Sequence, residues 1–383
     1  MRIHKNYPGG NISVGEVKGR VVKLEQEIRD TTIWWFYWGF CVESPDKGEF
    51  IFEFTNKDVV GPWGPTISFD RVKWDWLGSE AAISRNSFKY TFNGTETRVY
   101  FSLSLPYQLD DFDRFYARLQ KYPHVQRSVL ATSEGGRNVP LLKIGRASAA
   151  NHVMFTARHH ACESVASYVL EGLVEYIAKP EGAGLLDEYT FHIVPFVDID
   201  GVEEGDQGKC RHPYDHCRDY HNKPIYKATA ALMKYFNVNN ISHFVDFHCP
   251  WIWAYGKMRD NHPFFCKGLS PMKEKVENLG WLLQKATQSN KNIDKIIYDP
   301  VYDIEMGEDW MVPKDLANSS WVYLGNTGIA LSTAFEVPYF GTNDCIYTQK
   351  NTRALGADFG RAFKEYLPQA EHYKKGECMY EAT

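Results

Sequence analysis

The sequence has no long hydrophobic run, no excess of basic charge and no cysteines at metal-ligand spacing. A membrane-crossing helix needs ~18–20 consecutive apolar residues. The longest candidate here, 33–42, is broken by Gly39 and is expected to be a buried strand. The 43 basic and 48 acidic residues leave a net charge of −5, which gives nucleic acid no electrostatic footprint. No apolar segment follows Arg2, His4 and Lys5, so no signal peptide is predicted. Cys41, Cys162, Cys210, Cys217, Cys249, Cys266, Cys345 and Cys378 show no paired pattern. The expectation is a reduced, cytoplasmic protein that partners neither nucleic acid nor membrane. Internal repeats and low-complexity linkers are also missing, which implies a tight join between domains.

What is present is length and aromatic surface. The 383 residues give room for two domains, and 15% of them are aromatic, including 11 tryptophans. Up to residue 106 the texture is β: the runs 31–40, 49–55, 86–92 and 98–105 are separated by turn signals such as Pro45-Asp46-Lys47-Gly48 and Asn93-Gly94. Phe88, Tyr90 and Phe92 before Asn93-Gly94, with Val99 and Phe101 after it, suggest a hairpin. An antiparallel sandwich packed around indole is expected, with a sugar-stacking face as the second reading of its tryptophans. From 107 to 383 helices and strands alternate. Strands are expected at 152–157, 191–198, 242–248 and 329–336, and helices at 110–122, 164–178, 224–236, 273–289 and 352–367. That order predicts an α/β/α domain with a mixed central sheet.

Chemistry-bearing residues gather where those strands end. His160 and Glu163 can share one side of a first helical turn, and His248 ends the run Phe244-Val245-Asp246-Phe247-His248. Two imidazoles and a carboxylate make up the three protein ligands of a catalytic zinc site. Asp246, two residues before His248, faces the same way and is a candidate to support it. Glu336 ends a further strand beside Phe335, Val337 and Pro338; partly apolar surroundings raise a carboxylate toward the pKa of a general base. His159 is an alternative chelating partner for Glu163. His212, His216 and His221 invite a second-metal reading but fit loop polar groups better, and Tyr214, Tyr220, Trp251 and Trp253 are expected as pocket walls.

The ordered motifs Ala157-Arg158-x-His160-x-x-Glu163, Asp200-Gly201, Asp215-x-x-Arg218, Asp246-x-His248 and Phe335-Glu336 resemble those of the M14 metallocarboxypeptidases. The likeness covers about 106–370 and is strongest to the cytosolic carboxypeptidase branch, which also carries a β-sandwich ahead of its catalytic domain. It implies one zinc ion held by His160, Glu163 and His248, with Glu336 as the base. It further implies that Arg218 grips the terminal carboxylate of a peptide or related amide substrate, flanked by Cys217 and Tyr220. Three departures bear on substrate choice. Cys217 stands where the family has asparagine, and Asp198-Ile199-Asp200-Gly201 replaces Asn-Pro-Asp-Gly. The third is the segment Gly208-Lys209-Cys210-Arg211, where the resemblance implies a cation that polarises the scissile carbonyl, expected to be Arg211 with Lys209 as the alternative. An amidohydrolase or deacylase on the same scaffold is the nearer rival function, and a glycan-binding protein with an inactive zinc domain the more distant one.

Overall fold

The computed structural model describes residues 1–146, 148–253 and 261–376, with side chains through Gln369. Ten strands build the N-terminal part: β1 (Arg2–His4), β2 (Ser13–Lys18), β3 (Val21–Glu25), β4 (Gly39–Glu43), β5 (Gly48–Phe54), β6 (Thr66–Ser68), β7 (Asp75–Trp76), β8 (Ala82–Ser84), β9 (Ser87–Phe92) and β10 (Arg98–Ser102). They form two five-stranded sheets, ordered β1-β4-β10-β6-β7 and β2-β3-β5-β9-β8. Pairing is antiparallel except between β3 and β5, which run parallel because the chain visits β4 in the other sheet between them. Phe40 and Phe101 pair across one sheet and Phe52 and Phe88 across the other. Their rings meet in the middle, with the Phe88 and Phe101 centroids 5.4 Å apart. Trp38 is fully buried beside them, so this indole is core and not a sugar platform.

Two sequence expectations fail in the sandwich. Asn93-Gly94 does not turn a hairpin: β9 and β10 lie in different sheets, so the turn crosses between layers. The alternating aromatics therefore face one another through the core instead of along a ladder. Residues 31–38 are not a strand either; only Gly39–Glu43 joins the ladder. The Trp34 and Trp35 rings reach across to Trp251, at 5.1 and 4.6 Å. Tyr37 donates its backbone N–H to Gln207 Oε1 and accepts from Gln207 Nε2 at its C=O, both at 2.8 Å.

The remainder is an α/β unit. In chain order it contains α1 (Leu109–Leu119), β11 (Val125–Thr132), β12 (Asn138–Ile144), β13 (Asn151–Ala157), α2 (Ser164–Ala178), β14 (Tyr189–Val194), α3 (Ile199–Glu204) and α4 (Lys227–Val238). After these come β15 (His243–His248), β16 (Phe264–Lys267), α5 (Met272–Ser289), β17 (Ile304–Glu305), α6 (Pro313–Leu316), α7 (Ser320–Gly325), β18 (Leu331–Glu336) and α8 (Gln349–Gly376). Its sheet is mixed and eight-stranded, ordered β11-β12-β14-β13-β15-β18-β16-β17. The centre, β14-β13-β15-β18, is parallel and buried along its whole length but for the first two residues of β13, as a sheet covered on both faces must be. β14 ends before Pro195, earlier than the sequence suggested, and Asp198 instead caps α3 by accepting from the Gly201 N–H at 3.0 Å.

One helix contact bears on the site. α2 and α8 cross at glycines. A Cβ on Gly172 would lie 1.9 Å from the Arg353 carbonyl oxygen, and one on Gly356 2.0 Å from that of Val169. Only glycine permits backbones to approach so closely. Arg353 Nε adds a bond to Glu171 at 2.8 Å.

Candidate active site

β13 pairs with β14 on one side and β15 on the other, so the chain changes winding direction at β13, and ligands in such sheets collect beyond the strand C-termini there. β13 runs into a tight turn at 158–163. Arg158 adopts a left-handed φ of 59°, and its buried guanidinium donates to the carbonyls of Ala161 and Tyr107 from inside the turn. This folding presents His160 and Glu163 at the threshold of α2. His248 ends β15 and Glu336 ends β18, and the two are register partners.

His160, Glu163 and His248 converge. His160 Nδ1 lies 3.0 Å from Glu163 Oε1, and His248 Nδ1 2.8 Å from Glu163 Oε2. One ligand atom from each of the three falls within 4.8 Å of the others. The opposite ring nitrogens face further carboxylates: His248 Nε2 is 2.8 Å from Asp246 Oδ2, and His160 Nε2 is 3.6 Å from Asp215 Oδ1. An N–H donated outward leaves the inward lone pair for a metal and raises its basicity. Burial pushes both imidazoles down, yet Glu163 for His160, and Asp246 with Glu163 for His248, lift them well above the ordinary histidine range. Burial also works against the Glu163 carboxylate, which His160, Lys209 and His248 nevertheless hold well below its usual value. The site thus favours positive charge where two imidazoles and one carboxylate meet, a donor set that suits a zinc ion.

These groups open into a cavity of ≈ 240 Å³. Lys209 and Arg218 bring cations to it, and Trp35, Trp251, Trp310, Leu316, Trp321 and Ala334 form apolar walls. Glu336 lines it too, with Oε2 buried and making no hydrogen bond among the described residues. Burial, helped by the Glu163 charge, pushes its pKa up to about 7, the range in which a carboxylate can both take and return a proton. Beside Arg218, Cys217 Sγ accepts a bond from the guanidinium at 3.1 Å. Burial alone would raise that thiol, but Arg218 and the two imidazoles carry it well below the ordinary thiol range.

Comparison with known proteins follows the same outline. The family model described as zinc carboxypeptidase, Peptidase_M14, matches residues 113–359, well over half of the chain. The chain belongs to the zinc carboxypeptidase family. Cytosolic carboxypeptidase 1 of Gallus gallus is 24% identical over 179 residues, covering 39% of this chain and 15% of that protein. Cytosolic carboxypeptidase 6 of Caenorhabditis elegans is 28% identical over 166 residues, covering 39% of this chain and 36% of that one. The chain thus spans about a seventh of the first curated relative and little more than a third of the second. The solved metallo-carboxypeptidase from Pseudomonas aeruginosa, in complex with (2-guanidinoethylmercapto)succinic acid, superposes with a TM-score of 0.78 at 19% identity. That match covers 97% of this chain and 100% of the other. The metallo-carboxypeptidase from Burkholderia cenocepacia gives 0.77 at 18%, covering 96% and 99%. Sandwich and α/β unit together are therefore a fold shared with metallo-carboxypeptidases.

Within this zinc carboxypeptidase fold, Arg211, Tyr220 and Trp253 sit elsewhere than the sequence suggested. Arg211 does not line the cavity. Its guanidinium is locked among three carboxylates, 2.7 Å from Asp198, 3.0 Å from Asp206 and 3.1 Å from Asp30. Lys209 reaches the cavity instead, with Nζ 2.7 Å from Glu163 Oε1. Spacing alone offered both cations, and only the fold shows that aspartates surround one of them. Tyr220 is also no wall: it is fully buried, and its hydroxyl lies 2.6 Å from His159 Nε2. His159 turns its other nitrogen to Asp246 Oδ1 at 2.9 Å, so it does not chelate with Glu163. Among the described residues no three-ligand group includes His212, His216 or His221; His216 stacks on Tyr226 with centroids 3.7 Å apart. Trp251 does line the cavity, whereas Trp253 donates to the Asp58 carbonyl at 2.9 Å. Trp35, Trp310, Leu316 and Trp321 also wall the cavity, and because they lie outside every motif no spacing in the sequence marks them for it.

Proposed function

We propose that the protein is a zinc-dependent carboxypeptidase that hydrolyses the C-terminal bond of a peptide or related amide carrying a free terminal carboxylate. Residues 1–106 and 107–383 act as its two domains. The observation that carries this is the meeting, in one small cavity, of the His160–Glu163–His248 trio, a Glu336 oxygen with no hydrogen bond among the described residues, and Arg218. The trio is the holder of one zinc ion, which when bound supplies Lewis acidity toward the scissile carbonyl.

Arg218 binds the terminal carboxylate with its planar fork. With a thiol at 217 in place of a carboxamide, that grip rests on the guanidinium alone. Glu336 takes a proton from the attacking water as the new C–O bond forms, and returns it to the amine as the C–N bond breaks. Lys209, and not Arg211, is the cation offered to the developing oxyanion. The apolar walls exclude water from the exchange. A reducing compartment fits the seven described cysteines, all unpaired, and the cytosolic relatives.

The deacylase alternative draws on Cys217, which removes one carboxylate-binding amide. A digest of paired peptides, free or amidated at the C-terminus, separates the two together with metal analysis. Cleavage of free peptides only, lost in Arg218→Ala, is the expected result. Equal rates on both sets would overturn the carboxypeptidase reading in favour of the deacylase.

A further inference from the structure

The strongest unexplained feature of the molecule is the grip of the N-terminal sandwich on residues 207–211. We propose that Asp30 is a positioning residue for catalysis: it holds the loop that delivers Lys209, so the sandwich is part of the active site. This rests on the role given to Lys209 above.

The grip is nearly all polar. Asp30 Oδ1 accepts from the Gln207 N–H at 3.0 Å, and Oδ2 accepts from the Gly208 N–H at 2.8 Å and from Arg211 Nε at 3.1 Å. Two residues on, the backbone N–H and the hydroxyl of Thr32 both donate to the Cys210 carbonyl, at 3.1 and 2.8 Å. Gln207 spends its whole side chain on the same segment, through Tyr37 and the Glu27 carbonyl at 3.1 Å. The residue left between these anchors is Lys209.

From its other side the loop presses on the metal-site turn. The Cys162 N–H donates to the Gln207 carbonyl at 3.1 Å. Gly208 has φ +75°, and a Cβ there would stand 2.1 Å from the Ala161 nitrogen. The loop is therefore clamped between Asp30 and the turn that carries His160 and Glu163. Lys209 leaves the clamp along the Trp35 ring, Nζ 5.1 Å from its centroid. A lysine side chain is long and rotamer-rich, so where its charge sits depends on how firmly its backbone is held. Charge-assisted bonds from two successive N–H groups to one carboxylate supply that firmness. Asp198 and Asp206 on Arg211 close the same corner.

A double-mutant cycle tests this, using the full chain loaded with zinc and a cleavable C-terminal peptide. Asp30→Asn keeps the shape of the side chain and removes its charge. It is expected to lower kcat at least ~10-fold with KM nearly unchanged, as for an interaction made only in the transition state, and to keep one zinc per chain. Lys209→Met is expected to lose more. Asp30→Asn/Lys209→Met should then be no slower than Lys209→Met, within about twofold, because both changes act on one interaction. Thr32→Val, a milder cut at the same loop, should show a smaller loss with the same non-additivity. If the Asp30 and Lys209 losses multiply, Asp30 only joins the domains and the proposal is overturned. If Lys209→Met itself leaves the rate unchanged, the role of Lys209 is wrong, and the proposal falls with it.

Discussion

Replacing Asp246 by asparagine should weaken zinc binding and the fold by separate amounts, and the structure says why. The carboxylate is fully buried and takes four bonds on two oxygens. Oδ1 accepts from Thr156 Oγ1 at 2.7 Å and His159 Nδ1 at 2.9 Å, and Oδ2 from His248 Nε2 at 2.8 Å and the Ser320 hydroxyl. All four partners point donors at it, and the His159 and His248 charges hold it far below the ordinary carboxylate range despite burial. Asparagine has the same outline but one acceptor and one NH₂; the Thr156 or Ser320 hydroxyl can rotate to accept, but whichever way the amide turns, one histidine N–H faces a donor. Losing the support behind a metal-ligating histidine costs ~10–100-fold in metal affinity. Breaking a buried charge-assisted pair costs about 3–5 kcal/mol of stability. Zinc affinity is read by competition with a chromophoric chelator, and stability by urea unfolding with excess chelator present. His159→Phe provides the contrast: it cuts only the Oδ1 side, so it should lower stability while zinc affinity stays within about threefold. A folded Asp246→Asn protein with wild-type zinc affinity would refute the reasoning.

Glu336→Gln should retain one zinc per chain and lose at least ~10²-fold in turnover, the lower bound for general acid–base catalysis; steady-state kinetics beside elemental analysis check both halves. His192, hydrogen-bonded to His152 and Tyr235 and far from the cavity, is lowered to about 3 by burial and by the charges of His152 and Lys143. Because its folded value is depressed, its contribution is fully present above an unfolded value of ~6.5 and is lost as the pH falls below it. At ~1.4 kcal/mol per unit, about 2 kcal/mol should be gone by pH ~5, and urea midpoints of His192→Gln should fall less than wild type between pH 7.5 and 5. Identical slopes would dismiss His192 as the cause. Cys41, Cys162, Cys210, Cys217, Cys249, Cys266 and Cys345 are all unpaired. Cys378, expected free from the sequence, lies outside the described residues. Thiol titration of the unfolded, unreduced protein should return all eight, and a lower count through native bridges would contradict a reducing home.

The parts of the fold legible in sequence are those where the pattern and the environment are the same thing. α2 spans the residues its apolar spacing suggested, and β15 and β18 end at His248 and Glu336 because a buried parallel strand reads as an apolar run up to its polar terminus. The failures share one cause, that local signals do not state what lies across the core. The aromatic run at 34–38 looks like a strand, but its backbone is spent on Gln207 and its rings on Trp251. Asn93-Gly94 marks a turn without saying whether the next strand pairs or changes sheet. Likewise no spacing rule places Asp30 against Gly208, 178 positions away.

The glycine crossing of α2 and α8 makes the turn at 158–163 one end of a lever. Glu163 immediately precedes α2, and Gly172 lies nine residues along it, ~13 Å at 1.5 Å per residue. A helix is stiff over that distance, so a side chain wedged between Gly172 and the Arg353 carbonyl must tilt the rod, and the displaced end is the one that carries the carboxylate. Tolerance to substitution in this protein is therefore not graded by distance from the site. Gly172 and Gly356, which lie outside both the proposed zinc-binding trio and the cavity lining, belong with the residues whose replacement moves Glu163.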